Sequence, residues 1–259
     1  MPKIELIQGD CLEKMKDIPD GSIDMVLTSP PYDNLRTYNG SLDWGEHIWK
    51  PVIQELFRVI KDGGVVGWVV GDATIKGSET GTSFKQALYF KEVGFNLHDT
   101  MIYKKVNPIP LTHNRYEQGF EFMFVFSRGK PKTFNPIMVE CKTKGKKYNI
   151  IRPKGIDGSS KRNRDEMVIT KNTKYRDNIF EYSIGHKKQE TGCHSAPFPE
   201  QLAHDHIISW SNEGDTILDP FAGSGTVGKM AKQLNRNCIL IEKDPAYCEI
   251  AEKRVNENL

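Results

Sequence analysis

The sequence lacks the features of a membrane or secreted protein. Its 259 residues contain no apolar run close to the roughly 20 residues that a membrane-spanning helix needs. The chain does not open with a basic segment followed by a long apolar stretch, so we expect no secretory signal and a cytoplasmic location. The 27% of charged residues and the mean hydropathy of −0.54 predict a soluble protein.

Cysteine is scarce and scattered. The five cysteines are widely spaced, and no C-x-x-C pair occurs. We therefore expect neither a disulfide framework nor a metal site. Cys193 and His194 lie near His204 and His206, but no tight pair of ligands accompanies them. We interpret these residues as the polar flank of an amphipathic helix.

Internal repeats and low-complexity tracts are also absent, and the length predicts one large domain or one domain with an inserted lobe. The net charge of +2 is unevenly placed. Residues 128–188 hold 17 Lys and Arg against six Asp and Glu, a net charge of +11, which leaves −9 for the rest. A basic lobe on an acidic body indicates a polyanionic partner. The alternative is a solvated, partly disordered insertion.

Apolar runs alternate with segments of helical spacing along the chain. Predicted strands span residues 3–7, 23–27, 65–70, 96–104, 120–126, 216–218 and 237–241. Predicted helices span residues 11–18, 49–60, 84–93, 200–210, 226–234 and 245–255. Several strands, such as Val65–Val70, are apolar throughout, which is typical of strands buried on both faces. The pattern predicts an α/β fold with a mostly parallel sheet and helices on both faces.

A glycine-rich turn joins a strand to a helix at Leu218–Thr226, with the sequence LDPFAGSGT. Gly223 and Gly225 permit a tight bend and a close approach to a ligand, and the helix start offers free N–H groups. Glu242 follows the next strand, where a carboxylate can hold two ribose hydroxyls. This arrangement fits an adenosine cofactor. Only one βαβ half follows the glycines, which disfavours a nicotinamide.

A rigid polar segment, Thr28-Ser29-Pro30-Pro31-Tyr32, follows the apolar strand 23–27. The two prolines fix the backbone and remove two N–H donors, so the Ser29 hydroxyl and the Pro30 carbonyl remain as acceptors. Two fixed acceptors suit an amino group. Accepting both of its hydrogens favours a pyramidal nitrogen whose lone pair can attack an electrophile. Tyr32 offers an aromatic face to an extruded base.

These two segments together resemble the DNA amino-methyltransferases, the enzymes that make N4-methylcytosine and N6-methyladenine. Their catalytic signature corresponds to Ser29-Pro30-Pro31-Tyr32, and their cofactor signature resembles Asp219–Thr226. The catalytic motif comes first in the chain, as in the circularly permuted β group of that family. The resemblance implies a Rossmann-like methyltransferase fold, S-adenosyl-L-methionine as cofactor, and double-stranded DNA as partner.

The resemblance also implies which residues form the site. Gly9-Asp10-Cys11 is similar to the family's segment near the cofactor adenine, and His194–Pro199 to the segment at its methionine end. The implied cofactor-binding residues are Asp10, Cys11, Ser195, Asp219, Phe221, Gly223, Gly225, Thr226 and Glu242. The implied catalytic residues are Ser29, Pro30, Pro31 and Tyr32.

The same resemblance divides the chain into three parts. Residues 1–126 form a catalytic half, 127–190 a basic target-recognition insertion, and 191–259 a cofactor-binding half. We expect DNA contacts from Arg36, Lys142, Lys144, Lys146, Lys147, Lys161, Arg162 and Arg164. The loop from Asn34 to Gly40 either closes over the flipped base or is a plain surface turn.

Several interpretations remain open. Serine before Pro-Pro favours cytosine N4 in this family, and adenine N6 is the alternative. Other classes are an RNA or small-molecule methyltransferase, a nicotinamide-dependent oxidoreductase and a catalytically silent DNA-binding protein. The basic lobe disfavours small molecules, and the intact catalytic motif disfavours a silent protein. The resemblance leaves open a homodimer and a cognate restriction endonuclease.

Overall fold

The computed structural model describes residues 2–31, 44–108, 114–149, 167–183 and 199–257. Within them the strands are β1 (Ile4–Gln8), β2 (Ile23–Thr28), β3 (Ile60–Val70), β4 (Thr74–Ile75), β5 (Ser78–Glu79), β6 (Asn96–Lys105), β7 (Phe120–Ser127), β8 (Met138–Glu140), β9 (Lys147–Asn149), β10 (Met167–Ile169), β11 (Thr173–Tyr175), β12 (Ile179–Tyr182), β13 (Thr216–Asp219) and β14 (Asn237–Glu242). The helices are α1 (Cys11–Met15), α2 (Glu46–Val59), α3 (Thr82–Val93), α4 (Glu200–Trp210), α5 (Thr226–Gln233) and α6 (Pro245–Asn256). Each helix and strand predicted from the sequence is present.

Eight strands form the main sheet, in the order β1-β14-β13-β2-β3-β7-β6-β12. Strand β7 runs antiparallel to both of its neighbours, and the other neighbouring pairs are parallel. The predicted α/β class with a mostly parallel sheet is therefore confirmed. The carboxyl ends of the parallel strands meet at one edge, where such sheets place their ligands.

The chain changes direction across the sheet between β13 and β2. From β2 the connection through α2 leads to β3 on one side, and from β13 the connection through α5 leads to β14 on the other. Crossovers of this kind are right-handed, so connections in opposite directions place α2 and α5 on opposite faces. In open α/β sheets ligands bind at such a reversal, outside the carboxyl ends of the strands, which here are those of β13 and β2.

A separate compact unit is formed by Pro136–Asp177. It contains two short antiparallel ribbons, β8 with β11 and β9 with β10. The other unit comprises Met1–Asn135 and Asn178–Leu259. The division differs from the insertion expected at residues 127–190, because β12 pairs in parallel with β6 and so belongs to the main sheet.

The core of the larger unit is built from apolar strands and from helix faces with apolar residues three and four apart. In α2 these residues are Trp49, Val52, Ile53, Leu56 and Val59, all buried. In the described part of the chain, no helix is long and apolar enough to cross a membrane.

Phe90 of α3 anchors one end of this core. Its ring stacks on Phe126 with centroids 4.0 Å apart and packs edge-on to Trp68 at 5.2 Å. All three side chains are fully buried. We expect Phe90→Ala to lower the free energy of unfolding by about 3–5 kcal/mol, because it leaves a cavity among rings that cannot collapse. Chemical denaturation measures this loss.

Leu88 of the same helix supplies a matched control, since 61% of it is exposed. Leu88→Ala should change the free energy of unfolding by no more than about 0.5 kcal/mol. Equal losses in the two variants would contradict the proposed packing role of Phe90.

Candidate active site

Two predicted parts of the site meet where the sheet reverses direction: Thr28–Pro31, called the reaction segment below, and Asp219–Thr226, called the cofactor loop. Strand β2 ends at Thr28 and β13 ends at Asp219, and the two strands are direct neighbours. The Thr28 Oγ1 hydroxyl donates a hydrogen bond of 2.7 Å to Asp219 Oδ1, and both side chains are buried. The structure thus brings together two segments that lie 191 residues apart in the sequence.

Ser29, Pro30 and Pro31 continue directly from this bonded strand end. Pro30 is buried, and Ser29 and Pro31 are half-buried. The Thr28 contact therefore holds the last residue before the acceptor pair, Ser29 and the Pro30 carbonyl. Tyr32 and Arg36 lie outside the described residues, as does the loop from Asn34 to Gly40.

Thr28 is a site residue that the sequence motif includes but does not identify as functional. The available signal is a polar side chain that directly follows the apolar run Met25–Leu27, because a buried polar group there requires a hydrogen-bond partner. Its partner is Asp219, a predicted cofactor residue, which thus also binds the end of β2.

Asp219 also shapes the glycine-rich loop. Its Oδ1 accepts a hydrogen bond of 3.1 Å from the backbone N–H of Phe221. The pKa of Asp219 is raised to about 7, mainly by burial and in small part by the nearby Glu242, whereas the hydrogen bonds from Thr28 and Phe221 oppose the rise. The carboxyl therefore gains or loses its proton near neutral pH.

Glycine is required at the end of this loop. Gly225 has a φ of +76°, and a Cβ there would lie 2.9 Å from the Cβ of Ala251 in α6. The backbone N–H of Gly225 donates to the Ala222 carbonyl at 2.8 Å, which closes the turn before α5 begins at Thr226. The loop is thus pressed closely against the last helix.

Glu242, at the end of β14, faces the same loop. Its Oε2 accepts from the N–H of Gly223 and its Oε1 from the N–H of Asp244, both at 2.8 Å. Burial raises the pKa of Glu242 despite these bonds. Each carboxylate oxygen can accept a second hydrogen bond, so both remain suited to a pair of ribose hydroxyls.

Asp10 and Cys11 lie at the end of the adjacent strand β1. Asp10 Oδ1 caps α1 by accepting from the N–H of Leu12 at 2.9 Å, and the N–H of Gly9 donates to the Glu242 carbonyl. Burial raises the pKa of the Cys11 thiol to about 12, so it stays neutral and is no nucleophile. Because β1 and β14 pair in parallel, with Gln8 opposite Glu242, Asp10 and Glu242 lie near neighbouring strand ends.

Phe221 connects the loop to the other half of the sheet. Its ring packs edge-on to Trp44 at 5.5 Å and to Trp68 of β3 at 6.4 Å. Trp68 is itself fixed by a hydrogen bond from Nε1 to Gln86 Oε1. Phe221 therefore packs the loop against β3, the strand next to β2. Ser195, the remaining expected cofactor residue, lies outside the described residues.

The predicted nucleic-acid contacts fall partly in the compact unit 136–177. Lys142, Lys144 and Lys146 lie in the turn between β8 and β9, Lys147 begins β9, and all four are exposed. Lys144 makes one long ion pair of 3.9 Å with Glu140. Lys161, Arg162 and Arg164 lie outside the described residues.

Comparison with known proteins identifies similar chains. A family model described as DNA methylase matches residues 23–253. The orphan methyltransferase M.BamHII of Bacillus amyloliquefaciens is 51% identical over 248 residues, covering 93% of this chain and 91% of the relative. These matches confirm the family resemblance of the motifs.

Solved structures are similar over nearly the whole chain. The PvuII DNA methyltransferase, which is cytosine-N4-specific, matches with a TM-score of 0.74 and 20% identity over 99% of this chain and 87% of its own. TTHA0409 of Thermus thermophilus, solved with S-adenosyl-L-methionine, matches with a TM-score of 0.63 and 21% identity over 99% and 97% of the two chains. The predicted methyltransferase fold is thereby confirmed.

The raised pKa of Asp219 makes stability depend on pH. Between its ordinary value of 3.8 and about 7, the folded protein keeps a proton that the unfolded chain has released. The free energy of unfolding therefore falls as the pH rises through this window. Relative to Asp219→Asn, the unsubstituted protein should lose up to about 3 kcal/mol between pH 5 and pH 8.

Asparagine is the matched replacement because its Oδ1 accepts the same two bonds without ionising. Urea unfolding of both proteins at several pH values measures the difference. Parallel pH profiles would show that Asp219 does not titrate in this window.

Proposed function

The chain belongs to the DNA methylase family and is a DNA methyltransferase, and we propose that it methylates the exocyclic amino group of a flipped-out base in duplex DNA. We further propose cytosine N4 as the target and S-adenosyl-L-methionine as the methyl donor. The observation that carries the proposal is the Thr28–Asp219 hydrogen bond, because it joins a two-acceptor segment to a cofactor loop.

The residues at the carboxyl edge fit an adenosine cofactor. Glu242 and Asp10 place two carboxylates at neighbouring strand ends, and Glu242 retains acceptor capacity on both oxygens. When bound, S-adenosyl-L-methionine supplies an activated methyl group on a sulfonium centre. The loop around Gly223 and Gly225 would hold the cofactor, and the Asp219 carboxyl holds the loop.

The reaction segment acts on the incoming amine. The Ser29 hydroxyl and the Pro30 carbonyl accept its two hydrogens, which concentrates the nitrogen lone pair toward the electrophile. As the nitrogen–carbon bond forms, the methyl–sulfonium bond would break and leave S-adenosyl-L-homocysteine, and the nitrogen releases one proton to solvent. Since Thr28 is buried and bonded, these acceptors are held in place before the base arrives.

Cytosine is favoured over adenine by the serine. Ser29 stands where the family's adenine enzymes more often have aspartate, and the PvuII enzyme of similar fold is cytosine-N4-specific. Adenine N6 is the alternative target. A base paired inside a duplex cannot reach this edge, so it must be extruded into the site.

Phosphate contacts are assigned to the exposed lysines of the unit 136–177. Lys142, Lys144, Lys146 and Lys147 form a continuous basic turn and strand start. Such residues attract the DNA backbone and release its counterions, so affinity falls as salt rises. This surface supports a nucleic-acid substrate.

The chemistry is tested by incubating the protein with labelled S-adenosyl-L-methionine and unmethylated duplex DNA of mixed sequence. Mass spectrometry of the nucleosides should detect N4-methylcytosine. N6-methyladenine would overturn the choice of base and keep the mechanism. Methylation of RNA but not of DNA would overturn the proposed substrate.

Ser29→Ala should lower kcat about a hundredfold, because one of the two acceptors is removed from the transition state. Ser22→Ala, at the amino end of the same strand, provides a matched control that should keep the original rate. The Ser22 hydroxyl donates to the Pro19 carbonyl at 2.7 Å, far from the carboxyl end of the strand, and the substitution keeps the backbone bond from Ser22 N–H to the Val59 carbonyl. An unchanged rate in Ser29→Ala would remove its catalytic role.

The lysine surface is tested by salt dependence. Replacing Lys142, Lys144, Lys146 and Lys147 by glutamine should reduce the slope of log affinity against log salt by about 0.9 for each phosphate that the protein no longer neutralises. A control with equal charge change replaces the exposed Lys3, Lys16, Lys91 and Lys253 of the larger unit. Equal slopes in the two variants would exclude the assigned surface.

A further inference from the structure

Arg254, near the end of α6, is a buried cation that sequence reasoning did not single out. Its side chain is only 4% exposed. A buried guanidinium is costly unless acceptors surround it. The hydrogen-bond acceptors of Arg254 therefore identify the elements that this charge connects, and most of these acceptors belong to the cofactor loop.

One nitrogen of the guanidinium binds the loop directly. Arg254 Nη1 donates to the Ser224 carbonyl and to Ser224 Oγ, both at 2.7 Å, and to Thr226 Oγ1 at 3.1 Å. All three oxygens belong to the turn that leads into α5. Ser224 and Thr226 are themselves buried, so water does not compete for these bonds.

The bond to the Ser224 carbonyl fixes a peptide plane. In a trans peptide the carbonyl of Ser224 and the N–H of Gly225 point in opposite directions. With the carbonyl directed at Arg254, the N–H of Gly225 meets the Ala222 carbonyl at 2.8 Å. Rotation of this peptide would break both bonds together.

The second terminal nitrogen of the guanidinium, Nη2, binds a different element. Arg254 Nη2 donates to Glu200 Oε1 at 2.7 Å, and Lys229 Nζ of α5 donates to the same oxygen at 2.8 Å. Although partial burial opposes ionisation of Glu200, the bonds from Lys229 and Arg254 lower its pKa. Glu200 is the first residue of α4, so Arg254 ties the loop to the start of that helix.

Ala251 lies one turn earlier on the same face of α6. Its Cβ would be only 2.9 Å from a Cβ at Gly225, so the loop backbone and α6 are already in close contact. Ala251 sets the distance between loop and helix, and Arg254 sets the orientation of the loop. The last helix therefore belongs to the cofactor site through these two residues.

We propose that Arg254 is a positioning residue for the cofactor loop, which keeps Ala222–Thr226 in the shape that binds S-adenosyl-L-methionine and couples that loop to α4 through Glu200. The proposal rests on the proposed function, since it takes the loop to be the cofactor site. Arg254 acts through the loop backbone and contacts no reacting atom.

A purely structural role would give a different result, and Arg236 provides the comparison. Arg236 is also a buried arginine, 7% exposed, and it donates to Ser211 Oγ and to the Ser211 carbonyl. None of its hydrogen bonds reaches the loop. Its removal should destabilise the larger unit without changing the cofactor site.

The experiment compares Arg254→Met, Arg254→Lys and Arg236→Met with the unsubstituted full chain. Calorimetry measures the Kd of S-adenosyl-L-methionine and of its product S-adenosyl-L-homocysteine, and thermal unfolding without ligand measures stability. Steady-state kinetics then separate the KM for the cofactor from kcat.

Arg254→Met should weaken both ligands about tenfold or more and by the same factor, because the loop serves the part that they share. The KM for the cofactor should rise in parallel, with kcat nearly kept at saturating cofactor. The Kd values of Arg254→Lys should lie between those of Arg254→Met and of the unsubstituted protein. A single ammonium cannot bond to both the loop and Glu200 as the two terminal guanidinium nitrogens do. Arg236→Met should unfold at a lower temperature and keep its Kd within twofold.

Three results would decide against the proposal. Kd values within twofold in both Arg254 variants, or an equal weakening in Arg236→Met, would reduce Arg254 to a structural residue and leave the proposed function intact. If Arg254→Met does not fold, a Kd in Arg254→Lys that equals that of the unsubstituted protein would likewise reduce Arg254 to a structural residue. If the unsubstituted chain binds neither ligand, the proposed function itself fails.

Discussion

A buried hydrogen bond from Thr28 to Asp219 joins the two halves of the site, and the other contacts are arranged around it. The bond is 2.7 Å long and lies where water cannot replace it. Removing either partner would leave a buried polar group unpaired, which costs about 1–3 kcal/mol. This penalty keeps the ends of β2 and β13 in register, and therefore keeps the acceptor segment beside the cofactor loop.

The sheet order explains how distant parts of the chain form one site. Strands β1, β14 and β13 come from the two ends of the sequence and lie side by side, with β2 next to β13. Glu242, Asp219 and Thr28 thus end three adjacent strands at one edge, and Asp10 follows the end of the fourth, β1. The reaction motif comes first in the chain and the cofactor loop last, yet they are neighbours in space because the crossovers diverge between β13 and β2.

Sequence patterns predicted the helices and strands well because buried parallel strands are apolar throughout and helix ends carry clear signals. Ile23–Leu27 and Glu200–Trp210 are examples, the second matching its bounds. Strand β12 was missed because its pairing with β6 depends on long-range contacts, and it follows a basic stretch in the sequence. Strand β3 begins at Ile60, five residues before the predicted start at Val65. The difference arises because Gly63 and Gly64 lie within the strand and do not separate it from the helix before it.

The site was predictable where chemistry requires a local motif. Ser29-Pro30-Pro31 and Gly223 with Gly225 are recognisable from the sequence, since rigidity and close approach need those residue types in order. The contacts of Arg254 were not predictable, because its partners Ser224 and Glu200 lie 30 and 54 positions away in the sequence. Only coordinates show such pairings.

The most direct measurement is a double-mutant cycle on the central hydrogen bond. Thr28→Val, Asp219→Ala and the double variant are compared with the unsubstituted protein by kcat/KM for methyl transfer to unmethylated duplex DNA. If the bond aligns the acceptor segment with the cofactor loop, the two substitutions should be coupled by about 1 kcal/mol or more. Effects that add within about 0.5 kcal/mol would show that the two strand ends act independently and would contradict the account.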